Sequence, residues 1–545
     1  MLTALFLFCA LIFLAAYFSY GTFLAKQADI DPARPTPAHS EQDGVDRVPA
    51  PPAVLLGHHF SSIAGAGPIV GPIIAALAFG WLPVLLWIVL GSIFIGGTHD
   101  FFSLIASIRH HARSIAEIAK EYISPLSYKL FLIFIWVTLV YVLAVFTDLT
   151  AETFTADPGV ASASVIFVAL AIGFGLSIYR LKVNLKLATL IFVSLLFAAI
   201  ALGHKVPLEA SMLPSFLGED PSQRWRILLA LYCFVAAVLP VWLLLQPRDY
   251  LSSYLLYVGI VAAFVGICLG GFAIEYPALK GWSSPELGPL LPILFITVAC
   301  GACSGFHSLV SSGTSSKQLN KESDARLIGY GSMLIEGLVA VVATLAVAML
   351  LPGDVATRQP PPMVYGISMG KFLATVGVPE KLGVSFGLLT LSAFILTTLD
   401  TATRLARYVM EEFFNWRGRF FSCLATLLTL LPLAALALMD FRGPDGELIP
   451  AWKIIWPVFG VSNQLLAALA LLVIAVWRKK AGKRVDFVAW PMIFMAVMAT
   501  WSLILLIGRH GFSPIGAAAA LLLGLTLFLI FEAARALRPA HVRAS

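Results

Sequence analysis

Charge is scarce in this chain. Asp, Glu, Lys and Arg make up 12% of its 545 residues, about half their share in a soluble globular domain. That leaves too few polar groups to solvate a soluble surface, and no stretch is long and polar enough to fold as a separate soluble domain. Cysteine is scarce as well. The six present, Cys9, Cys233, Cys268, Cys300, Cys303 and Cys423, fall within or beside apolar runs and read as small buried hydrophobes, not a disulfide framework. Cys300 and Cys303 form a CxxC, but no second pair or redox motif accompanies them, so no metal or redox role is assigned. No Walker loop occurs, which excludes ATP as a direct energy source. The net charge of +6 comes without any nucleic-acid-binding motif, and no cofactor is implied.

Apolar sequence is what the chain has in quantity: 59% of residues are hydrophobic and the mean hydropathy is +0.90. Runs of about twenty apolar residues recur along its length, each enough to span the hydrocarbon of a bilayer. They predict an all-α polytopic membrane protein with fifteen helices, near 2–25, 57–79, 81–108, 127–149, 161–178, 185–204, 225–245, 255–275, 288–304, 328–351, 382–400, 420–439, 454–477, 486–507 and 513–536. The first run has no basic residue before it and no small-residue cleavage site after it, so it reads as a membrane helix and not a signal peptide. Lys and Arg test the layout because they accumulate in cytoplasmic segments. With the N-terminus outside and the C-terminus in the cytoplasm, inner segments hold 26 of the 36 basic residues, including Arg535, Arg538 and Arg543. The inner loop near 26–56 reads as an irregular strap. The outer loop at 352–380 has room for a short amphipathic helix.

One helix is flawed in an informative way. Residues 57–72, GHHFSSIAGAGPIVGP, interrupt an apolar span with four glycines and two prolines. Proline removes a backbone donor and clashes with the preceding turn, so the helix must break or kink. In hydrocarbon a break is tolerated only where it is buried or lines a cavity, and many carriers expose backbone groups to solute in this way. Close helix packing is the plainer explanation of the small residues. The helix at 225–245 also holds an internal proline, Pro240, and runs the opposite way five helices later. Two interrupted helices at equivalent places suggest inverted five-helix repeats and a leucine-transporter-like core. One integral membrane domain is thus expected over 1–545: an extra helix at 1–25, a repeat core at about 57–400, and further helices at about 420–536.

Ionisable residues inside membrane helices are expensive and deserve individual attention. Asp100 and Glu336 each lie about eight residues from the inner end of their helices, some 12 Å deep at ~1.5 Å per residue. They are candidates for a coupling-ion site, with locked structural pairing as the alternative. His58, His59, His99, Arg248, Asp249, His307 and Asp400 fall on the same side, as gating, structural or proton-path groups. No spacing sets two of the histidines on one helical face, so no metal site is assigned. A second polar passage, CGACSGFHSLVSSGTSSKQLNKESDAR at 300–326, follows a helix of only about seventeen residues. Its hydroxyls suit either a re-entrant binding element or a capped helix end with an exposed loop. Solute-binding candidates are therefore Ser61, Ser62, Gly65, Gly67, Gly71, Ser304, His307, Ser308, Ser311 and Ser312, the two segments approaching around one polar cavity. Asn463 and Gln464 read as helix-to-helix glue.

The blocks DGVDRVPAPPAVLLGHHFSSIAGAGPIVGP, LPVWLLLQPRDYLSSYL, SGFHSLVSSGTSSKQLNKESDARLIGYGSMLIEG, FILTTLDTATRLARYV and IIWPVFGVSNQLLAALAL resemble, in order and over nearly the whole chain, the signature blocks of the carbon starvation protein A family. That resemblance implies an inner-membrane uptake carrier of the amino acid–polyamine–cation (APC) superfamily, used when preferred carbon sources run out, for peptides or, in some members, pyruvate. The longest members of that family carry extra C-terminal helices. The expected partners are a small-molecule substrate, H⁺ or Na⁺ as coupling ion, and the lipid bilayer; oligomeric state is open at this level. An integral membrane enzyme using the inner-facing His/Asp cluster is the alternative reading.

Overall fold

The computed structural model describes residues 1–43, 47–240, 242–437, 439 and 449–537; Arg538 and Arg543, counted above among the inner basic residues, lie outside the described residues. A chain in hydrocarbon must satisfy its own backbone polar groups, and it does so here almost entirely with helices. In order these are α1 (Leu2–Gln27), α2 (Pro52–Ile63), α3 (Gly67–Phe79), α4 (Trp81–Arg109), α5 (Ile115–Tyr122), α6 (Pro125–Ala156), α7 (Pro158–Tyr179) and α8 (Leu185–Lys205). There follow α9 (Pro221–Val238), α10 (Leu245–Leu269), α11 (Leu290–Thr297), α12 (Phe306–Gly313), α13 (Glu322–Ala348) and α14 (Pro361–Ala374). The last are α15 (Glu380–Phe414), α16 (Arg419–Ala437), α17 (Ala451–Lys480), α18 (Asp486–His510) and α19 (Pro514–Ala536). Helix starts follow capping chemistry: Asp157 and Asp220 accept backbone N–H groups at the heads of α7 and α9, each ahead of a proline at the first helical position.

The chain is a multi-pass membrane protein. Among the described residues twelve helices are long and apolar enough to cross a membrane, thirteen if α2–α3 counts as one bent span, against fifteen expected. Two expected spans account for the difference. The helix expected at 288–304 is two eight-residue helices, α11 and α12, with an irregular stretch between them. The helix expected at 225–245 ends at Val238, so Pro240 lies in the link to α10 and not inside a helix. The reason is local: the residue before a proline is driven out of the helical region, and Leu239 has φ −64° and ψ 150°.

Side-chain contacts sort the loops onto two faces. Arg34 and Arg109 both pair with Glu322, Lys483 pairs with Asp29, and Lys480 donates to the Tyr122 carbonyl. These contacts gather the loops after α1, α4, α12 and α17 on one face, called the basic face here. The expected strap lies there, tied by the Thr36 hydroxyl to the Leu319 carbonyl and by the Ala50 N–H to the Gln318 carbonyl. On the opposite face Asp157 accepts from Ser385, and the Tyr276 hydroxyl donates to the Leu77 carbonyl. The expected short helix in the 352–380 loop is α14.

Residues 52–205 and 290–480 pass through the same succession of elements. Each begins with a broken helix (α2–α3; α11–α12), continues with a long helix holding a six-residue π-helical stretch (Gly91–Gly96; Arg326–Gly331), and lays down a short helix (α5; α14). A very long helix (α6, 32 residues; α15, 35 residues) and two more spans complete each run. α5 sits on the basic face and α14 on the other. The core lies around α13, α15 and α17, whose apolar windows are 89%, 89% and 94% buried, while α1, α16 and α19 are only 28% buried and line the periphery.

Close backbone approach holds this core together. A Cβ on Gly71 would stand 2.3 Å from the Thr297 carbonyl oxygen, and one on Gly460 2.3 Å from that of Ile296. Gly71→Ala should therefore lose about 1–3 kcal/mol through overpacking against backbone. Gly524→Ala, with nothing within 4 Å of the new atom, should not. Thermal unfolding of both variants in detergent distinguishes them; equal midpoints would refute the packing account.

Candidate functional site

The two broken helices meet. α2 and α3 bend by 44° across residues 64–66, and a Cβ on Gly67 would lie 2.3 Å from the Cys300 sulfur in the α11–α12 break. Gly301 in turn lies against Pro68 and Pro72. The neighbour of the first break is therefore the stretch 298–305. The physical reason is size, since only glycine and small residues allow two non-helical backbones to approach this closely.

Side chains satisfy the polar groups that the second break frees. The Trp87 indole donates to the Val298 carbonyl (3.0 Å) and the Ser92 hydroxyl to that of Gly301 (3.0 Å). Asn463 and Gln464 of α17 do the rest. Asn463 Oδ1 accepts the Phe306 N–H at 3.0 Å, its carbonyl accepts that of Gly305, and its amide pairs with Ser304. Gln464 Nε2 donates to the carbonyls of Phe295 (2.9 Å) and Cys303 (3.3 Å). Both residues act as the expected glue, on broken backbone and not merely between helices.

Beside the breaks lies a sealed ionisable cluster. His307, in the first turn of α12, donates through Nδ1 to Asp100 Oδ2 at 2.7 Å, and its Nε2 stands 3.2 Å from Glu336 Oε2. His99 Nδ1 donates to the other Asp100 oxygen at 2.7 Å. All four side chains have zero exposure. The two expected coupling carboxylates, from α4 and α13, are thus joined by one imidazole. His59, also fully buried, bonds Ser315 at 2.7 Å. Ionised imidazoles and carboxylates attract strongly where the local dielectric is low, and an uncompensated charge there is costly.

A second network sits at the base of α2. His58 donates to Asp249 Oδ2 at 2.9 Å, and the Ser61 hydroxyl reaches the Asp249 carbonyl at 2.9 Å. Arg248 pairs with Asp400 at 2.5 Å and bonds the Tyr232 hydroxyl, which itself donates to Asp400 at 2.9 Å. Tyr232 was not among the expected residues; a single tyrosine in an apolar helix gives no sign of its partners.

The serine passage is a buried helix, not an exposed loop. Ser304, Ser308, Ser311 and Ser312 are all at most 2% exposed. Ser308 and Ser312 bond carbonyls of Gly305 and Ser308, and Ser62 bonds that of His58, so these hydroxyls are partly tied to their own chain. The Ser311 hydroxyl has no partner among the described residues. Gly65, Gly67 and Gly71 are all closed over by protein, Gly65 by Phe146 and Thr398. α2 packs against α12, and Gly67 stands against Cys300, but no residue of 61–71 lines either of the two clefts that follow. A cleft of about 580 Å³ opens on the basic face against Ser312 and Gly313 at the end of α12, bordered by Lys317, Tyr408 and Glu412. Another of about 430 Å³ opens on the opposite face beside Asp148, Glu152 and Arg226.

Removing His307 leaves two buried carboxylates without their bridge, a loss of about 3–5 kcal/mol. His307→Gln should therefore lower the unfolding midpoint, and adding Asp100→Asn should recover part of it by removing the stranded charge. A double variant no more stable than the single one would refute this pairing.

The model of a family described as carbon starvation protein CstA matches residues 2–366 and 353–502. The peptide transporter CstA of Bacillus subtilis is 35% identical over 512 residues, covering 84% of this chain and 82% of its own length. The pyruvate/proton symporter BtsT of Escherichia coli is 31% identical over 577 residues, covering 90% of this chain and 80% of its own. A solved manganese transporter of Eremococcus coleocola superposes with a TM-score of 0.46 at 13% identity, covering 91% of this chain and 99% of its own. With the family model running through both broken helices and the His307 cluster, and a relative 35% identical over 84% of its length, this chain belongs to the carbon starvation protein CstA family.

Proposed function

We propose that this chain is a secondary active transporter that imports peptides or pyruvate-like small carboxylates across the cytoplasmic membrane, as part of the response to carbon starvation. Relatives named as a peptide transporter and as a pyruvate/proton symporter support the substrate class. The repeated succession at 52–205 and 290–480 supports a leucine-transporter-like core, with its second broken helix at 290–313 and its end near 480, beyond the 400 expected. The bias of Lys and Arg supports a cytoplasmic basic face, hence an outer N-terminus.

The observation that carries the mechanism is His307 between Asp100 and Glu336, at the junction of the two breaks. Two carboxylates and two imidazoles stand together in one dry cluster, the kind of intramembrane ionisable site on which carriers take up protons. A proton entering or leaving changes the charge of a site held by α12 of the second break and by α4 and α13 beside it, which is how an ion gradient can drive their movement. Solute would bind at the breaks, between Ser61–Gly71 and Ser304–Ser312, with Gly67 and Gly71 serving the hinge and Gly65 and Ser311 nearer the solute. The clefts on the two faces are the entrances that alternate.

Proteoliposomes with imposed H⁺ or Na⁺ gradients test this reading. Gradient-driven accumulation of unchanged pyruvate or dipeptide is expected, and its absence under either gradient would overturn the proposal. Asp100→Asn should alter the pH or ion dependence of uptake by more than tenfold while changing apparent affinity by less (one removed titratable group, on the order of 1.4 kcal/mol per tenfold). An unaltered coupling profile would reduce Asp100 to a structural role.

A further inference from the structure

We infer that Arg248 is the docking point for the carboxylate of the transported solute; the inference rests on the transport reading above and assigns a residue to its substrate. Arg248 lies in the first turn of α10 and has zero exposure, although a guanidinium is among the most expensive groups to bury. Only one corner of it is occupied: Nη1 meets Asp400 and the Tyr232 hydroxyl. Nε and Nη2 have no hydrogen-bond partner among the described residues.

These two nitrogens share one edge of the planar group. Their N–H bonds run parallel at the spacing of two carboxylate oxygens, the arrangement that makes arginine a bidentate carboxylate receptor. An arginine with a purely structural task would close that edge, because buried unpaired donors are costly. The nearby acids do not close it. Asp400 is engaged on Nη1, while Asp249 Oδ2 is held by His58 at 2.9 Å and lies 3.5 Å from the Ser62 hydroxyl.

The position suits a solute site. α10 packs against both α2 and α15, so Arg248 stands between the first broken helix and the helix that carries Asp400. Two further hydroxyls of α15, those of Thr398 and Thr401, also have no partner among the described residues, and Thr398 lies against Gly65 in the break. The head of a helix adds favourable potential for an anion. Pyruvate and the C-terminus of a peptide share the carboxylate that such an edge selects.

The test compares wild type with Arg248→Lys in proteoliposomes, using radiolabelled pyruvate and radiolabelled dialanine in separate arms. Lysine retains the charge facing Asp400 but has no fork. KM should rise roughly 10- to 100-fold in whichever arm wild type transports, the equivalent of one lost charged hydrogen bond, with little change in maximal rate. Pyruvamide and dialanine amide should fail to compete with the wild-type substrate. A wild-type KM in Arg248→Lys, or amides that compete as well as the acids, would overturn the assignment. If Arg248→Lys does not fold, the double variant Arg248→Gln/Asp400→Asn removes both charges and should show the same rise in KM; an unchanged KM there overturns it equally. Wild type that accumulates neither solute defeats the transport reading itself, and the inference falls with it.

Discussion

A helix interrupted inside hydrocarbon leaves N–H and C=O groups that water cannot reach, and each costs several kcal/mol if unpaired. This protein interrupts two, and much of its interior exists to satisfy the result. The breaks are set against each other, so that Gly67 and Gly71 admit Cys300 and the Thr297 carbonyl. The remaining groups go to α4 through Trp87 and Ser92, and to α17 through Asn463 and Gln464. Those commitments explain why α17 is the most buried of the spans, although it stands late in the chain. They also explain why α11 and α12 persist at eight residues each, a length that propensity alone does not sustain in isolation.

The same junction is where charge is concentrated. His307 stands in the first turn of α12, immediately after the broken stretch, with Asp100 on α4 and Glu336 on α13. Each belongs to an element that directly flanks a break. A change in protonation here alters attractions among three helices at once, and the packed core around them has few intermediate arrangements to adopt. Charge and shape are therefore linked by position, without any long relay.

Much of this architecture was legible in the sequence because its causes are local. Glycine and proline at 57–72 announce a break wherever the helix lies, and hydropathy with basic bias gives the spans and their faces. The second break was misplaced for a local reason as well. Proline at 240 looks the same whether it kinks a helix or ends one, whereas the true break at 298–305 contains no proline. Its small-residue stretch ACGACSG, residues 299–305, reads as an ordinary helix end unless one knows that Asn463, more than 150 residues away, will supply its partners. The cluster shows the same limit. Asp100, His307 and Glu336 were each visible as intramembrane charges, but their joining is a tertiary fact, with 207 residues separating the first two. The glycines went the other way: the packing explanation holds for Gly67 and Gly71, because distance to the facing chain decides between packing and exposure, and a sequence carries no distances.

One short helix connects the two charged networks. His58 and His59 are consecutive in α2, and consecutive residues on an α-helix point about 100° apart. His58 is therefore directed to Asp249 on α10, and His59 to Ser315 beyond α12. Neither bond can be broken by turning or tilting α2 without disturbing the other, since twelve residues of helix move as a unit. The hinge that would permit such movement is already present at 64–66, where α2 parts from α3. Ser61 and Ser62 add two more contacts to Asp249 on the same face, at 2.9 Å and 3.5 Å. α2 is held at its basic-face end by His58 and His59 and parts from α3 at its other end, so the two bonds and the hinge act on one rigid element.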